Sequence, residues 1–228
     1  MSATTSLLSV LFAYAPVMAV FGFAAAWLYR WGILRNDLGP AVSAVSPTSE
    51  VALVVGFLTV VGGHTITVIA PDAMRALLGD ISRVALIELA GLVGALLFSW
   101  GLLSRLRVRL RVWRAGGVEQ LPRVAVLALF FLVSCTGALL TVQYRWLTAW
   151  YAYVSVPYLR SLLVLEPVTD AMTASPWPVQ LHVVLLLILV AAWPMAGLPR
   201  SEIFPLSRVA ERLTQLGSTS GTHKEGSS

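Results

Sequence analysis

The chain has 228 residues, of which 57% are hydrophobic and only 12% charged, and its formal net charge is +5. Soluble domains average about 25% charged residues, and a small water-soluble fold leaves too much surface exposed to hide this much apolar area. The composition excludes an ordinary soluble domain and points to a bilayer as solvent. The basic residues lie between apolar runs rather than in one patch, so membrane topology accounts for the charge and nucleic acid is not an expected partner. A lone cysteine, Cys135, excludes a disulfide framework and a cysteine-ligated cluster, so any iron–sulfur chemistry has to come from partner subunits.

Five windows are long enough to cross about 30 Å of hydrocarbon, which takes roughly 20 residues. In chain order they are Leu7–Leu28, Val51–Ala70, Val84–Leu103, Val124–Val142 and Val179–Leu198. The predicted fold class is therefore all-α, an integral membrane bundle of five transmembrane helices. Ala13-Tyr14-Ala15 resembles a signal cleavage site, but no Lys or Arg precedes the apolar run, so the first window reads as a retained helix.

The segment after the first span carries Arg30 and Arg35. The one after the third carries Arg105, Arg107, Arg109, Arg111, Arg114 and Arg123, and the tail carries Arg200, Arg208, Arg212 and Lys224. These twelve lie on one side, against Arg75, Arg83, Arg145 and Arg160 on the other. The asymmetry predicts a multi-pass protein of the cell (inner) membrane with its N-terminus outside and its C-terminus cytoplasmic. The RLRVRLRVWR run (Arg105 to Arg114) reads as a topology signal in contact with anionic lipid, or as a docking site for an acidic cytoplasmic subunit.

Between the fourth and fifth spans lies YRWLTAWYAYVSVPYLRSLLVL, starting at Tyr144. Trp146, Trp150, Tyr151, Tyr153 and Tyr158 suit an aromatic belt, so an interfacial segment is expected along the outer surface, covering the bundle. The expected organisation is a five-helix transmembrane domain over 1–200, a cytoplasmic amphipathic segment over 201–216 and a disordered tail over 217–228.

Of three histidines, His223 falls in the tail, whereas His64 and His182 fall within spans, where ionisable residues are expensive and usually functional. His64 lies six residues before Ala70, about 9 Å below the outer end of its span. His182 lies four residues after Pro178, about 6 Å below the same end. Two imidazoles at one depth on different helices are the layout of axial ligands to a b-type haem held in a bundle core. Two unrelated intramembrane hydrogen bonds are the plain alternative. Gly56, Gly62 and Gly63 stand near His64. They serve either ordinary helix packing or the approach of a flat macrocycle.

GFLTVVGGHTITVIAP (Gly56 to Pro71), SCTGALLTVQY (Ser134 to Tyr144) and VQLHVVLLLILVAAWP (Val179 to Pro194) resemble the gamma subunit of respiratory nitrate reductase, a membrane cytochrome b. The span number, chain length and orientation resemble it too. The resemblance implies two haems per chain, with His64 and His182 matching the pair of the outer one and Gly63 beside it. The inner pair would fall at Val54 and near Arg200, neither of which is a haem ligand. Met195 is a conceivable iron ligand, but apolar packing is its expected role. One haem b is therefore expected. With the inner site missing, the resemblance turns toward relatives in the same superfamily, such as the sulfite-reduction-associated and heterodisulfide-reductase-like membrane cytochromes.

The resemblance further implies electron exchange with the quinone pool and with iron–sulfur or other redox subunits of a larger oxidoreductase, for which this chain would be an electron-transfer subunit and not the terminal catalytic one. Arg83 approximately matches a basic residue used near the quinol, and is otherwise an interfacial anchor. Glu88, one turn deeper, can accept a quinol proton or pair with Arg75 or Arg83. A cofactor-free membrane anchor is the competing expectation. Asp72 and Asp80, with Arg75 and Arg83, read as a solvated outer turn.

Overall fold

A computed structural model describes residues 3–33, 45–116, 120–144 and 146–197. Arg200, His223 and the segments expected over 201–216 and 217–228 lie outside the described residues. Among those described, every regular element is helical. The helices are α1 (Ala3–Ile33), α2 (Pro47–Ile69), α3 (Pro71–Leu77), α4 (Ile81–Gly116), α5 (Leu121–Gln143), α6 (Leu147–Trp150), α7 (Val156–Leu163), α8 (Asp170–Thr173) and α9 (Trp177–Ala196), with a π-helical turn at Tyr151–Ser155 between α6 and α7. Five of them, α1, α2, α4, α5 and α9, are long and apolar enough to span a membrane, as expected from the sequence.

Local chemistry sets the helix ends. Ser46 caps α2 by accepting from the Ser49 N–H at 3.4 Å, with Pro47 in the first turn, where a missing N–H costs nothing. Asp80 accepts the N–H groups of Ser82 and Arg83 at the start of α4. The Ser82 hydroxyl, and then those N–H groups, hold the Asp80 carboxyl below its ordinary range. Helix α9 ends at Gly197 in the left-handed conformation (φ 54°), a position that favours glycine. A Cβ there would stand 1.9 Å from the Arg30 guanidinium.

The main contacts run in the order α2–α4–α5–α9–α1. The α2–α4 seam is built on glycine. A Cβ on Gly56 would lie 2.3 Å from the Phe98 N and 2.5 Å from the Gly94 O. One on Gly94 would lie 2.7 Å from Thr59, and one on Gly101 would lie 2.6 Å from Leu53. Lipid supplies no hydrophobic drive between helices, so close backbone approach and interhelical hydrogen bonds hold such seams. The α4–α5 seam adds a polar link: the Ser99 and Ser134 hydroxyls lie 2.8 Å apart, and Ser134 donates to the Ala95 carbonyl at 3.1 Å.

Two features differ from the sequence expectation. First, α4 does not stop near Leu103 but continues through the basic run to Gly116. Its 36 residues are about 54 Å long, well beyond the bilayer core. Within the run Arg107, Arg111 and Arg114 are exposed, whereas Arg105 and Arg109, one helical turn apart, are buried. Arg105 lies 4.0 Å from buried Glu50 in the first turn of α2, and Arg109 and Arg123 both donate to Gln120 Oε1, at 3.2 and 3.1 Å. The run therefore also ties α2, α4 and α5 together at this end of the bundle.

Second, the outer aromatics are not all a belt. Trp146 and Tyr153 are exposed, Trp150 and Tyr151 are half-buried, and Tyr158 is buried with its hydroxyl donating to the Phe12 carbonyl of α1 at 2.7 Å. The segment does cover the bundle: Leu147, Trp150, Tyr158, Leu159 and Leu162 pack with Phe12, Leu140, Met172 and Val179.

Candidate functional site: a paired-histidine centre

His64 sits on α2, four residues after Val60, whose carbonyl lies 2.7 Å from the His64 Nδ1. His182 sits on α9, with its Nδ1 2.9 Å from the Thr136 hydroxyl of α5. Thr136 itself donates to the Val133 carbonyl at 3.0 Å, so its oxygen accepts from the imidazole. Both hydrogen-bond sets place the ring proton on Nδ1 and leave Nε2 with its lone pair. This is the tautomer that metal-binding histidines adopt, with the second nitrogen anchored to a carbonyl or similar acceptor.

The surroundings divide the glycines that the sequence grouped together. Gly56 belongs to helix packing. A Cβ on Gly62 or Gly63 meets nothing within 4 Å, so neither is required by a neighbouring helix. Gly137 on α5, which sequence reasoning missed, stands against His182: a Cβ there would lie 3.2 Å from its Cε1. Thr136 and Gly137 lie in the quoted SCTGALLTVQY segment, where a short run of small and polar residues inside an apolar span was the available signal.

Tyr151 is also new. Its ring packs edge-on against His64, with centroids 4.9 Å apart, and its hydroxyl lies 3.5 Å from the His64 carbonyl. It belongs to the π-helical turn, a geometry that recurs at functional sites.

Glu88 does not pair with Arg75 or Arg83. Its Oε1 accepts the Thr148 N–H at 3.2 Å, satisfying one of the free donors at the start of α6 and fixing that short helix beside His64. Arg75 instead pairs with Asp72 at 3.1 Å, donates to the Ala152 carbonyl at 3.4 Å and lies over the Tyr153 ring at 5.2 Å. Arg83 is exposed in the first turn of α4. Asp72 and Asp80 are exposed, in line with a solvated outer turn, although α3 occupies part of it.

Toward the inner end, the positions between the helices are taken up by rings. Phe57 and Phe98 meet at 5.8 Å, Phe98 and Phe130 at 6.5 Å, and Phe130 and Trp193 at 5.4 Å, all edge-on, within a cluster that includes Leu53, Leu102, Leu127 and Leu189. Val54 is half-buried and Met195 is exposed on α9, so neither is set to bind iron.

The fold defines a multi-pass α-helical membrane protein in which two different spans, α2 and α9, carry one histidine each. More particularly, the chain belongs to the nitrate reductase gamma subunit family, whose family model, described as "Nitrate reductase gamma subunit", matches residues 9–213. No curated protein and no solved structure matches the chain. The family is one of membrane cytochrome b subunits, which bind haem and transfer electrons within a larger redox complex.

Proposed function

We propose that this chain would hold one haem b near its outer face through His64 and His182, with Gly63 beside it, and that it exchanges electrons between the quinone pool and partner redox subunits of a respiratory oxidoreductase. The observation that carries this reading is the pair of imidazoles on two different spans, exposed His64 and half-buried His182, each with Nδ1 hydrogen-bonded to a neighbouring oxygen and Nε2 left as a ligating atom. The donor set fits a bis-histidine haem, which supplies one-electron transfer when bound. The chain's own contribution is to orient the two rings through Val60, Val133 and Thr136. The single-haem reading is supported by Val54 and by the aromatic packing of the inner half. The charge asymmetry supports an N-out, C-in orientation in the cell (inner) membrane, with the site on the outer side.

Oxidation of a quinol releases two electrons and two protons; the electrons would pass one at a time to the partner redox subunits, and the proton not taken by Glu88 would leave to the outer aqueous phase. In this reading the ring head group lies at the outer end near His64 and Tyr151, with Arg83 on a quinone oxygen and Glu88 taking a proton. Helix α6 links Glu88 to the Tyr151 ring above His64.

The test is anaerobic mixing of reconstituted, haem-loaded protein with a reduced quinol analogue while the b-type absorption is followed. Glu88→Gln keeps an oxygen for the Thr148 N–H but cannot take a proton. It is expected to slow haem reduction by about 10²-fold, the usual range for loss of a positioned base, with an unchanged optical spectrum. Unchanged reduction would remove Glu88 from the site, and wild-type haem that quinol cannot reduce would overturn quinone exchange.

Gly137→Ala tests the ligand geometry separately. The added methyl presses on the His182 ring, and haem retention on dilution is expected to weaken by about 10-fold, as for disturbed ligand orientation.

A further inference from the structure

The loop after α7 places leucine where the backbone favours glycine. Leu165 has φ 60°, the left-handed conformation. The turn around it is well formed: the Glu166 N–H reaches the Ser161 carbonyl at 3.0 Å and the Leu165 N–H reaches the Leu162 carbonyl at 3.2 Å, the two bonds of a Schellman helix end. The Ser161 hydroxyl donates to the Tyr158 carbonyl at 2.7 Å and accepts the Val168 N–H at 3.0 Å. Glycine would adopt this conformation without steric cost, and a branched side chain does not. The leucine is nevertheless 77% exposed, its chain neighbours Leu163, Val164 and Val168 are between 59% and 76% exposed, and Trp177 at the start of α9 is 73% exposed. Isolated exposed aliphatics need no explanation, but a contiguous apolar patch on a strained turn does.

Depth identifies what covers the patch. Tyr158 of α7 is bonded to the carbonyl of Phe12, which lies five residues, about 7.5 Å, inside the start of the α1 span at Leu7. Leu162, just before the loop, and Met172, just after it, both pack in the cluster with Phe12, Leu140 and Val179, all within spans. Both roots of the loop are therefore below the outer ends of the surrounding helices. The lipid-facing side of α1, with exposed Leu7, Val10, Leu11 and Tyr14, lies at the same level. Exposed Arg160 and Glu166 supply the charged flanks that reach back to headgroups.

We propose that residues 163–168, together with Trp177, form an outer-leaflet anchor: Leu163, Val164, Leu165 and Val168 enter the acyl boundary and are covered by lipid chains, which fixes the depth of the outer segment over the bundle. The proposal does not depend on the haem reading.

The test uses the full chain in phosphatidylcholine–phosphatidylglycerol vesicles. A nitroxide label is placed at Leu165→Cys, at Val168→Cys and, as an aqueous control, at Ser82→Cys, all in a Cys135→Ala background. Relaxation by oxygen, which concentrates in lipid, is compared with relaxation by a water-soluble nickel chelate. Oxygen is expected to dominate at positions 165 and 168, and the chelate at 82. Chelate dominance at 165 and 168 would overturn the proposal by placing the loop in water. So would protection from both reagents only when a co-purified subunit is present, which would assign the patch to a protein. Leu165→Gly provides a second reading: relief of the turn is expected to raise the thermal midpoint in detergent. A lower midpoint would show that Leu165 is packed within its own chain and would also overturn the proposal.

Discussion

Replacing His182 with alanine is expected to abolish the low-spin b-type absorption change of the purified protein completely while leaving its helical content and membrane insertion near those of the starting protein. The separation of the two effects follows from the geometry. His182 bonds to Thr136, but Thr136 keeps its own bond to the Val133 carbonyl, so α5 is not left with an unsatisfied hydroxyl. The α5–α9 contact is otherwise carried by apolar packing around Phe130, Leu189 and Trp193. His64→Ala is expected to behave the same way, because in the proposed site each ring would supply one of the two iron ligands. Optical difference spectra with circular dichroism on the same samples check this. A surviving low-spin signal in either variant would remove that histidine from the ligand set.

The second large effect concerns the fold. Gly56→Leu is expected to cost about 3 kcal/mol or more, the upper range for overpacking, and to prevent accumulation of folded protein. Even the first carbon of the new side chain would lie 2.3 Å from the Phe98 N and 2.5 Å from the Gly94 O, and both are backbone atoms that move only if α2 and α4 separate. Separation would also withdraw the Leu53 and Thr59 contacts with Gly101 and Gly94 along the same seam. Gly62→Ala, six residues further on, is the control: its methyl meets nothing within 4 Å, and the thermal midpoint is expected to stay within a degree or two, in line with a surface change. Equal losses for both substitutions would show that the seam is not where the structure puts it.

The five spans were legible because uninterrupted apolar runs of membrane length have few other uses. The extension of α4 was not. A run of arginines ends an apolar window, yet arginine is a good helix former, and only the tertiary placement of Glu50 and Gln120 shows why Arg105 and Arg109 turn inward. The expected shared depth of His64 and His182 rests on counting residues along each helix, a one-dimensional argument that needs no packing. Thr136, Gly137 and Tyr151 escaped it because their importance comes from contact with residues 46, 45 and 87 positions away, respectively. Glu88 shows the same limit differently. Charge matching along the sequence offered Arg75 or Arg83, but α6 brings an unsatisfied N–H to the carboxylate, and Arg75 is taken by Asp72. Among the glycines, spacing alone could not separate Gly56, which is pressed between helices, from Gly62 and Gly63, which are not.

The account's central claim is one bis-histidine haem b per chain, and the most direct measurement is the haem-to-protein ratio of the purified full-length chain, taken with its low-temperature electron paramagnetic resonance spectrum. The expected result is one haem b per chain with a single low-spin bis-histidine ferric signal. Two haems per chain, or no haem in correctly inserted protein, would contradict it.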